Sequence, residues 1–98
     1  MPVFLIERTF ADKLEVSPDD AARVKRINEE IGVQWLISFL SADKKKTYCL
    51  YEASNADAIR EAAERAGLPA DSVIEVGELA PSGATGDVQK ERLTRGAN

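Results

Sequence analysis

Residues 46–67, KTYCLYEASNADAIREAAERAG, constrain the fold most, because a strand pattern there runs directly into a helix pattern. Residues 47–51 are β-branched, aromatic or apolar, which suits a pleated, buried surface. Ser54 can cap the following helix, Asp57 puts a carboxylate in its first turn, and Gly67 supplies a left-handed residue that ends it. Apolar residues recur along it at helical spacing: Ile59, Ala62, Ala63 and Ala66. The pattern predicts a strand and a helix that pack closely.

A similar signal precedes this stretch. Ser17 is followed by Pro18 and two aspartates, which is a strong helix start, and Gly32 ends that helix. The predicted buried stripe of this helix consists of Val24, Ile27 and Ile31. Apolar and β-branched runs predict three further strands at residues 2–10, 33–41 and 72–79.

The predicted element order is β-α-β-β-α-β, which favours an α+β fold of the ferredoxin-like sandwich type. It places two helices on one face of a four-stranded antiparallel sheet, with the fourth, first, third and second strands side by side. Residues 1–79 are predicted to form this domain. Residues 80–98 shift to Pro, Ser, Gly, Thr and charges and are predicted to be a flexible or short-helical tail, with any helix over 87–95. Truncation after Pro81 is expected to leave folding intact.

Composition narrows the function classes. A chain of 98 residues suits one domain, and a net charge of −4 argues against nucleic acid, which needs a clustered positive field. The single cysteine allows no internal disulfide, and no apolar run is long enough to span a membrane, so we expect a cytoplasmic protein without a membrane partner. Histidine is absent, which removes the commonest general base and transition-metal ligand.

Side chains alternate along a strand, so the sequence can be divided by parity. Even positions form a plain apolar set that suits the helices: Phe4, Ile6, Leu36, Leu40, Tyr48, Leu50, Ile74 and Val76. Odd positions mix apolar residues with aromatics, a thiol and carboxylates: Val3, Leu5, Glu7, Val33, Trp35, Ile37, Phe39, Cys49, Tyr51, Val73 and Glu75. We predict that the odd face points away from the helices. Because it is too apolar to stand in water, we expect two copies to close over it as a homodimeric α/β barrel.

The odd face also supplies the candidate ligand-binding residues. They are Glu7, Trp35, Phe39, Cys49, Tyr51 and Glu75. If Glu7, Cys49 and Glu75 converge at one rim, their two carboxylates and thiol could hold a divalent metal as a cofactor. Alternatively, the two carboxylates could share a proton, with one pKa raised. The alternative is structural: Cys49 is a small core residue, the glutamates pair with arginines such as Arg8, and the aromatics pack.

Several pieces together carry a family resemblance. They are Glu7-Arg8, Trp35 with Phe39, YCLYEA from Tyr48, AIRE from Ala58, AGLPA from Ala66, and Glu75-Val76. Over residues 3–79 the chain resembles a family of small bacterial ferredoxin-like proteins named for a nickel-binding, nickel-responsive actinobacterial member. The resemblance implies the ferredoxin-like fold, a dimer, and metal binding in some members. Metal-binding relatives carry histidine near Ile37 and Ala62, both aliphatic here, so the resemblance extends to fold and dimer and not to the nickel site.

Three functions remain open at this stage. The first is a non-enzymatic protein that binds a small ligand or metal at the odd face. The second is a dimeric-barrel enzyme, such as a cofactor-independent oxygenase or isomerase, with a glutamate as base and Tyr51 or Trp35 holding an apolar substrate. The third is a structural or partner-binding dimer. The second rests on fold analogy alone.

Overall fold

A four-stranded antiparallel sheet carries two helices on one face in the computed structural model, which describes residues 1–95. The strands lie in the order β2-β3-β1-β4. Their bounds are β1 Val3–Thr9, β2 Gln34–Leu40, β3 Lys46–Glu52 and β4 Ser72–Val76, with α1 Pro18–Ile31 and α2 Ala56–Ala66 between them. This α+β arrangement is consistent with a ferredoxin-like fold, and the predicted element order and strand order are confirmed.

Local signals set both helix ends. Ser17 and Asp20 form a capping box at the start of α1, and Gly32 closes that helix in the left-handed region at φ 86°. In α2 the cap is Asn55, whose side-chain oxygen accepts a hydrogen bond from the Ala58 amide at 2.9 Å. The prediction of Ser54 as the cap is therefore wrong. Asn and Ser are comparable caps, so adjacent copies of them do not identify the first helical residue.

The two faces of the sheet differ from the parity prediction. Ile6 lies opposite Cys49 in β3 and opposite Val73 in β4. Directly opposed residues share a face, so even positions of β1 share a face with odd positions of β3 and β4. The prediction that one parity marks one face throughout the sheet is wrong, because the connections between strands, and not residue numbering, set the register.

Strand β2 contributes a further shift. Trp35 lies opposite Tyr51, whereas Ser38 lies opposite Cys49, because the register slips between Trp35 and Ile37. An irregularity of this kind places an extra residue in one strand and changes which face the following side chains meet. Trp35 and Ser38 therefore lie on the same side of the sheet despite their opposite parity.

The helix side of the sheet forms the core. Phe4, Ile6, Cys49 and Tyr51 pack there against α2 residues that include the fully buried Ile59. The predicted alanine stripe of α2 is confirmed, since Ala62, Ala63 and Ala66 are all buried. Small residues let α2 lie close to the sheet.

The outer face consists of the side chains that point away from the helices. Its apolar members are Val3, Leu5, Ile37, Phe39, Tyr48, Leu50, Ile74 and Val76, with Glu7, Glu52 and Lys46 as charged neighbours. Phe39 and Ile74 are each 54% exposed, whereas Val3 and Glu52 at the other end are buried.

Residues 77–95, the C-terminal segment, fold back onto this end. The predicted strand over residues 72–79 is interrupted at Gly77, which separates β4 from a further short strand. A β-carbon on Gly77 would lie 2.7 Å from the Gly86 carbonyl oxygen, so a larger residue would clash there. The segment contains β5 Glu78–Leu79, β6 Thr85–Gly86 and α3 Lys90–Arg95, and α3 packs against β2. Lys90 pairs with Glu52. Two predictions are not tested here: that the domain ends at residue 79, and that it folds without the residues that follow Pro81. Within the part of the chain that the structure describes, no helix is long and apolar enough to cross a membrane.

Candidate functional site

An open cavity of about 410 Å³ lies between the helix side of the sheet and α1. We call it the helix-side cavity. Its walls are mainly apolar and come from four parts of the chain: Trp35, Leu40, Cys49 and Tyr51 from the sheet, Ala21 and Val24 from α1, Leu14 from the preceding loop, and Leu68 after α2. Concave, mostly apolar sites with a few polar groups are the usual form of a small-molecule site.

Two aromatic side chains form one wall of this cavity. The ring centroids of Trp35 and Tyr51 are 6.3 Å apart with planes inclined by 33°. Tyr51 is 3% exposed and Trp35 is 41% exposed, so the wall runs from the core to the surface. Burial raises the pKa of the Tyr51 phenol, and the positive charge of Arg8 opposes that rise. The phenol is therefore neutral at physiological pH and offers a hydroxyl group and an apolar ring.

A chain of hydrogen bonds lies along the same wall. The Trp35 indole Nε1 donates to Ser38 Oγ at 2.8 Å, and Ser38 Oγ donates to Cys49 Sγ at 2.9 Å. Cys49 Sγ in turn contacts Thr47 Oγ1 at 3.7 Å. The chain fixes the indole against the sheet, and it holds the buried thiol between two hydroxyl groups.

Arg8 is the charged residue deepest in this wall, with only 3% of its surface exposed. Its guanidinium donates to the Pro69 carbonyl oxygen and lies 5.8 Å from the centre of the Tyr51 ring. The structural alternative that pairs the glutamates with Arg8 is wrong, because Glu7 pairs with Lys46 on the outer face. Among residues 1–95, no carboxylate lies within salt-bridge distance of Arg8.

The structure brings three of the predicted ligand-binding residues together and separates the others. Trp35, Cys49 and Tyr51 line the helix-side cavity. Glu7 and Phe39 lie on the outer face, where each is opposite Tyr48 of β3: Glu7 in the neighbouring strand β1 and Phe39 in the neighbouring strand β2. Glu75 is exposed on the edge strand β4, opposite Phe4. The predicted convergence of Glu7, Cys49 and Glu75 is therefore wrong, because the register places Glu7 on the other face from Cys49.

The family named in the resemblance implies a nickel site, and the donor groups do not fit one. Nickel favours imidazole nitrogen, and the chain contains no histidine. In the described residues, no three Cys, Asp or Glu side chains are grouped so that they could hold a metal ion. The thiol of Cys49 is buried, and its hydrogen-bond partners are the hydroxyl groups of Ser38 and Thr47 rather than carboxylates.

The sequence analysis missed the polar residues of the cavity, which are Arg8, Ser38 and Thr47 in the sheet and the exposed Glu15, Asp20 and Arg23. It also missed Asn28, which is buried in α1. Arg8 continues the alternation of Phe4 and Ile6, so the period of the strand could have placed it on the helix side. No comparable signal was available for Ser38, since it follows the register shift in β2. Asn28 is buried in α1, and its Nδ2 has no hydrogen-bond partner in the described part of the chain.

Comparison with known proteins agrees with this architecture. A family model described as "Nickel responsive protein SCO4226-like" matches residues 4–76. The chain belongs to this family. A solved structure titled "Crystal structure analysis of SCO4226 from Streptomyces coelicolor A3(2)" is similar, with a TM-score of 0.62 and 22% identity over 80% of this chain and 99% of that chain. At that identity the likeness shows the fold alone. None of the curated proteins compared with the chain matches it. The resemblance stated from the sequence is confirmed, and the C-terminal segment lies outside the family match.

Proposed function

We propose that this member of the SCO4226-like family binds a small, largely apolar molecule in the helix-side cavity. The observation that carries the proposal is the cavity itself, about 410 Å³ with the Trp35 and Tyr51 wall on one side. A volume of this size suits a molecule of about ten to fifteen non-hydrogen atoms, within the range of known ligand pockets. The polar groups along the wall, Ser38 and Thr47, would orient such a molecule.

The family name refers to nickel, and we do not extend that to this chain. The lining of the cavity is mainly apolar, with hydroxyl, thiol and guanidinium groups and two exposed carboxylates, Glu15 and Asp20. In the described residues no three potential ligands are grouped so that they could hold a metal ion, so the lining suits an organic molecule better. The enzymatic alternative also lacks a specific observation in its favour. Glu7 and Glu75, the carboxylates among the predicted site residues, lie outside the lining of the cavity.

Trp35 provides a direct test, since it is the only tryptophan of the chain and lies in the cavity wall. Titration of the protein with phenylpropanol, a neutral aromatic probe, should change the intensity and wavelength of tryptophan emission in a saturable way. Ala21→Phe fills the cavity from α1 and should abolish the change. Ala22→Phe is the matched control, because Ala22 is exposed and lies outside that lining. A response that is unsaturable, or that is equal in both variants, would refute the cavity as the binding site.

The exposed apolar side chains of the outer face support a second proposal, a homodimer formed across that face. Phe39 and Tyr48 are exposed near one end of the face, Ile74 is exposed on the edge strand β4 opposite Leu5, and the C-terminal segment covers the other end. Contiguous apolar surface of this kind usually marks a protein interface. Sedimentation velocity over micromolar to high micromolar concentrations should show a dimer that Ile74→Arg weakens. Leu79→Arg is the matched control, because Leu79 is exposed in β5, outside the main sheet. A monomer throughout that range would exclude the interface.

A further inference from the structure

The buried guanidinium of Arg8 requires a physical explanation. Removing a charge from water costs several kcal/mol unless an opposite charge or a full set of hydrogen bonds replaces the solvent. Arg8 is 3% exposed, and within residues 1–95 it has no carboxylate at salt-bridge distance. The ion pairs of the described residues all involve other cations. Their carboxylates lie on the outer face, on a helix or in the C-terminal segment.

The partners of Arg8 are neutral. One nitrogen donates to the Pro69 carbonyl oxygen, and the guanidinium lies over the Tyr51 ring. A guanidinium has five N–H donors in a planar fork, which matches two carboxylate oxygens at once. Arg8 is itself one of the residues that line the helix-side cavity. The acidic residues of the lining, Glu15 and Asp20, are exposed and form no ion pair with Arg8, so solvent screens them.

We propose that the molecule bound in the helix-side cavity is an organic carboxylate, whose acid group pairs with Arg8 while its apolar body lies against Trp35 and Tyr51. This inference rests on the proposed function and specifies its ligand class. The ligand supplies the negative charge that Arg8 lacks in the protein. The low-dielectric surroundings of a buried wall strengthen the pair relative to one at the surface.

The test compares two probes of nearly equal shape, phenylpropionate and phenylpropanamide, in calorimetric titrations of the unaltered protein at neutral pH. The acid is ionised there and the amide is not. The acid forms charge-assisted hydrogen bonds with a guanidinium that the amide cannot form, so the acid should bind about tenfold or more tightly than the amide. Equal affinities, or tighter binding of the amide, would overturn the inference and leave the cavity proposal standing. Failure of both probes and of phenylpropanol would reject the proposed function itself.

Substitutions then assign the preference to a residue. Arg8→Gln should remove the preference for the acid while the amide still binds, and Arg8→Lys should retain part of it, since it keeps the charge and loses the fork. Arg26→Gln is the matched control, because Arg26 is exposed on α1 and does not line the cavity. If Arg8→Gln does not fold, Arg8→Lys and the comparison of probes on the unaltered protein decide the matter. An acid preference that persists in Arg8→Gln would overturn the assignment to Arg8 and point to another cation such as Arg23, which also lines the cavity. A preference that is equally reduced in Arg26→Gln would show that long-range charge, and not Arg8, selects the ligand.

Discussion

The two faces of the sheet use similar residues in different ways. The helix side buries Ile6 completely and encloses a cavity beside the aromatic wall of Trp35 and Tyr51. The outer face exposes more than half of Phe39 and Ile74 to solvent. Both faces are rich in aromatic and aliphatic residues, so composition does not distinguish them. What distinguishes them is that two helices cover one face and a short C-terminal segment covers only the end of the other.

Charge separates the faces more clearly than hydrophobicity does. On the outer face Glu7 pairs with Lys46, and Glu52 pairs with Lys90. On the helix side Arg8 is buried without a carboxylate partner in the described residues. The charges of the outer face are already paired within the protein, so a ligand gains little by binding them. A buried cation without a carboxylate partner beside a cavity would instead form its ion pair with a bound anion, which favours binding. This contrast favours the helix side as the ligand site and the outer face as the protein interface.

The largest effect that tests the comparison is the loss of core packing. Ile6→Ala should lower the free energy of unfolding by about 2 to 5 kcal/mol, because Ile6 is completely buried and its removal leaves a cavity. Ile74→Ala, the same change on the outer face, should cost about 0.5 kcal/mol or less in the monomer. Urea denaturation at low micromolar concentration measures both.

The same two variants can be compared at several protein concentrations. If the outer face forms a dimer, the cost of Ile74→Ala should grow as the protein concentration rises, since a dimer stabilises its folded subunits by mass action. The cost of Ile6→Ala should change little. Similar costs for both variants at low concentration would contradict the distinction between a covered and an uncovered face.

A salt bridge in the C-terminal segment gives the next largest effect. The Glu52 side chain is 8% exposed, and Lys90 is its ion-pair partner from α3. Lys90→Met should lower the free energy of unfolding by about 1 to 2 kcal/mol, between the values typical of exposed and buried pairs. Lys25→Met on the exposed surface of α1 is the control. Equal stability of the two variants would indicate that the segment contributes little, as the sequence-based prediction for truncation after Pro81 implies.

Sequence patterns predicted the architecture well because its determinants are local. The Ser17 cap, the glycines at 32 and 67 and the alanine stripe of α2 act within a few residues of their own positions. The candidate site depends on how separate strands align. A single offset in numbering places Cys49 opposite Ile6 rather than on the face with Glu7, and the shift in β2 brings Ser38 to Cys49. Such alignment follows from loop geometry and packing, which a period-two pattern within one strand does not contain.

The smallest effect concerns the helix cap that supports the covered face. Asn55→Ala removes the side-chain oxygen that accepts from the Ala58 amide, and it should cost about 1 kcal/mol. Ser54→Ala, one residue earlier, should cost only a few tenths, because Ser54 is exposed and makes no hydrogen bond in the described structure that depends on its hydroxyl group. Thermal and urea unfolding of the two variants provides the measurement. A larger loss for Ser54→Ala would move the start of α2 back by one residue. That shift would lengthen α2 by one residue at its start and would leave Ile59 and Ala62 packed against Phe4 and Ile6, because the face that a helix buries does not depend on where the helix begins.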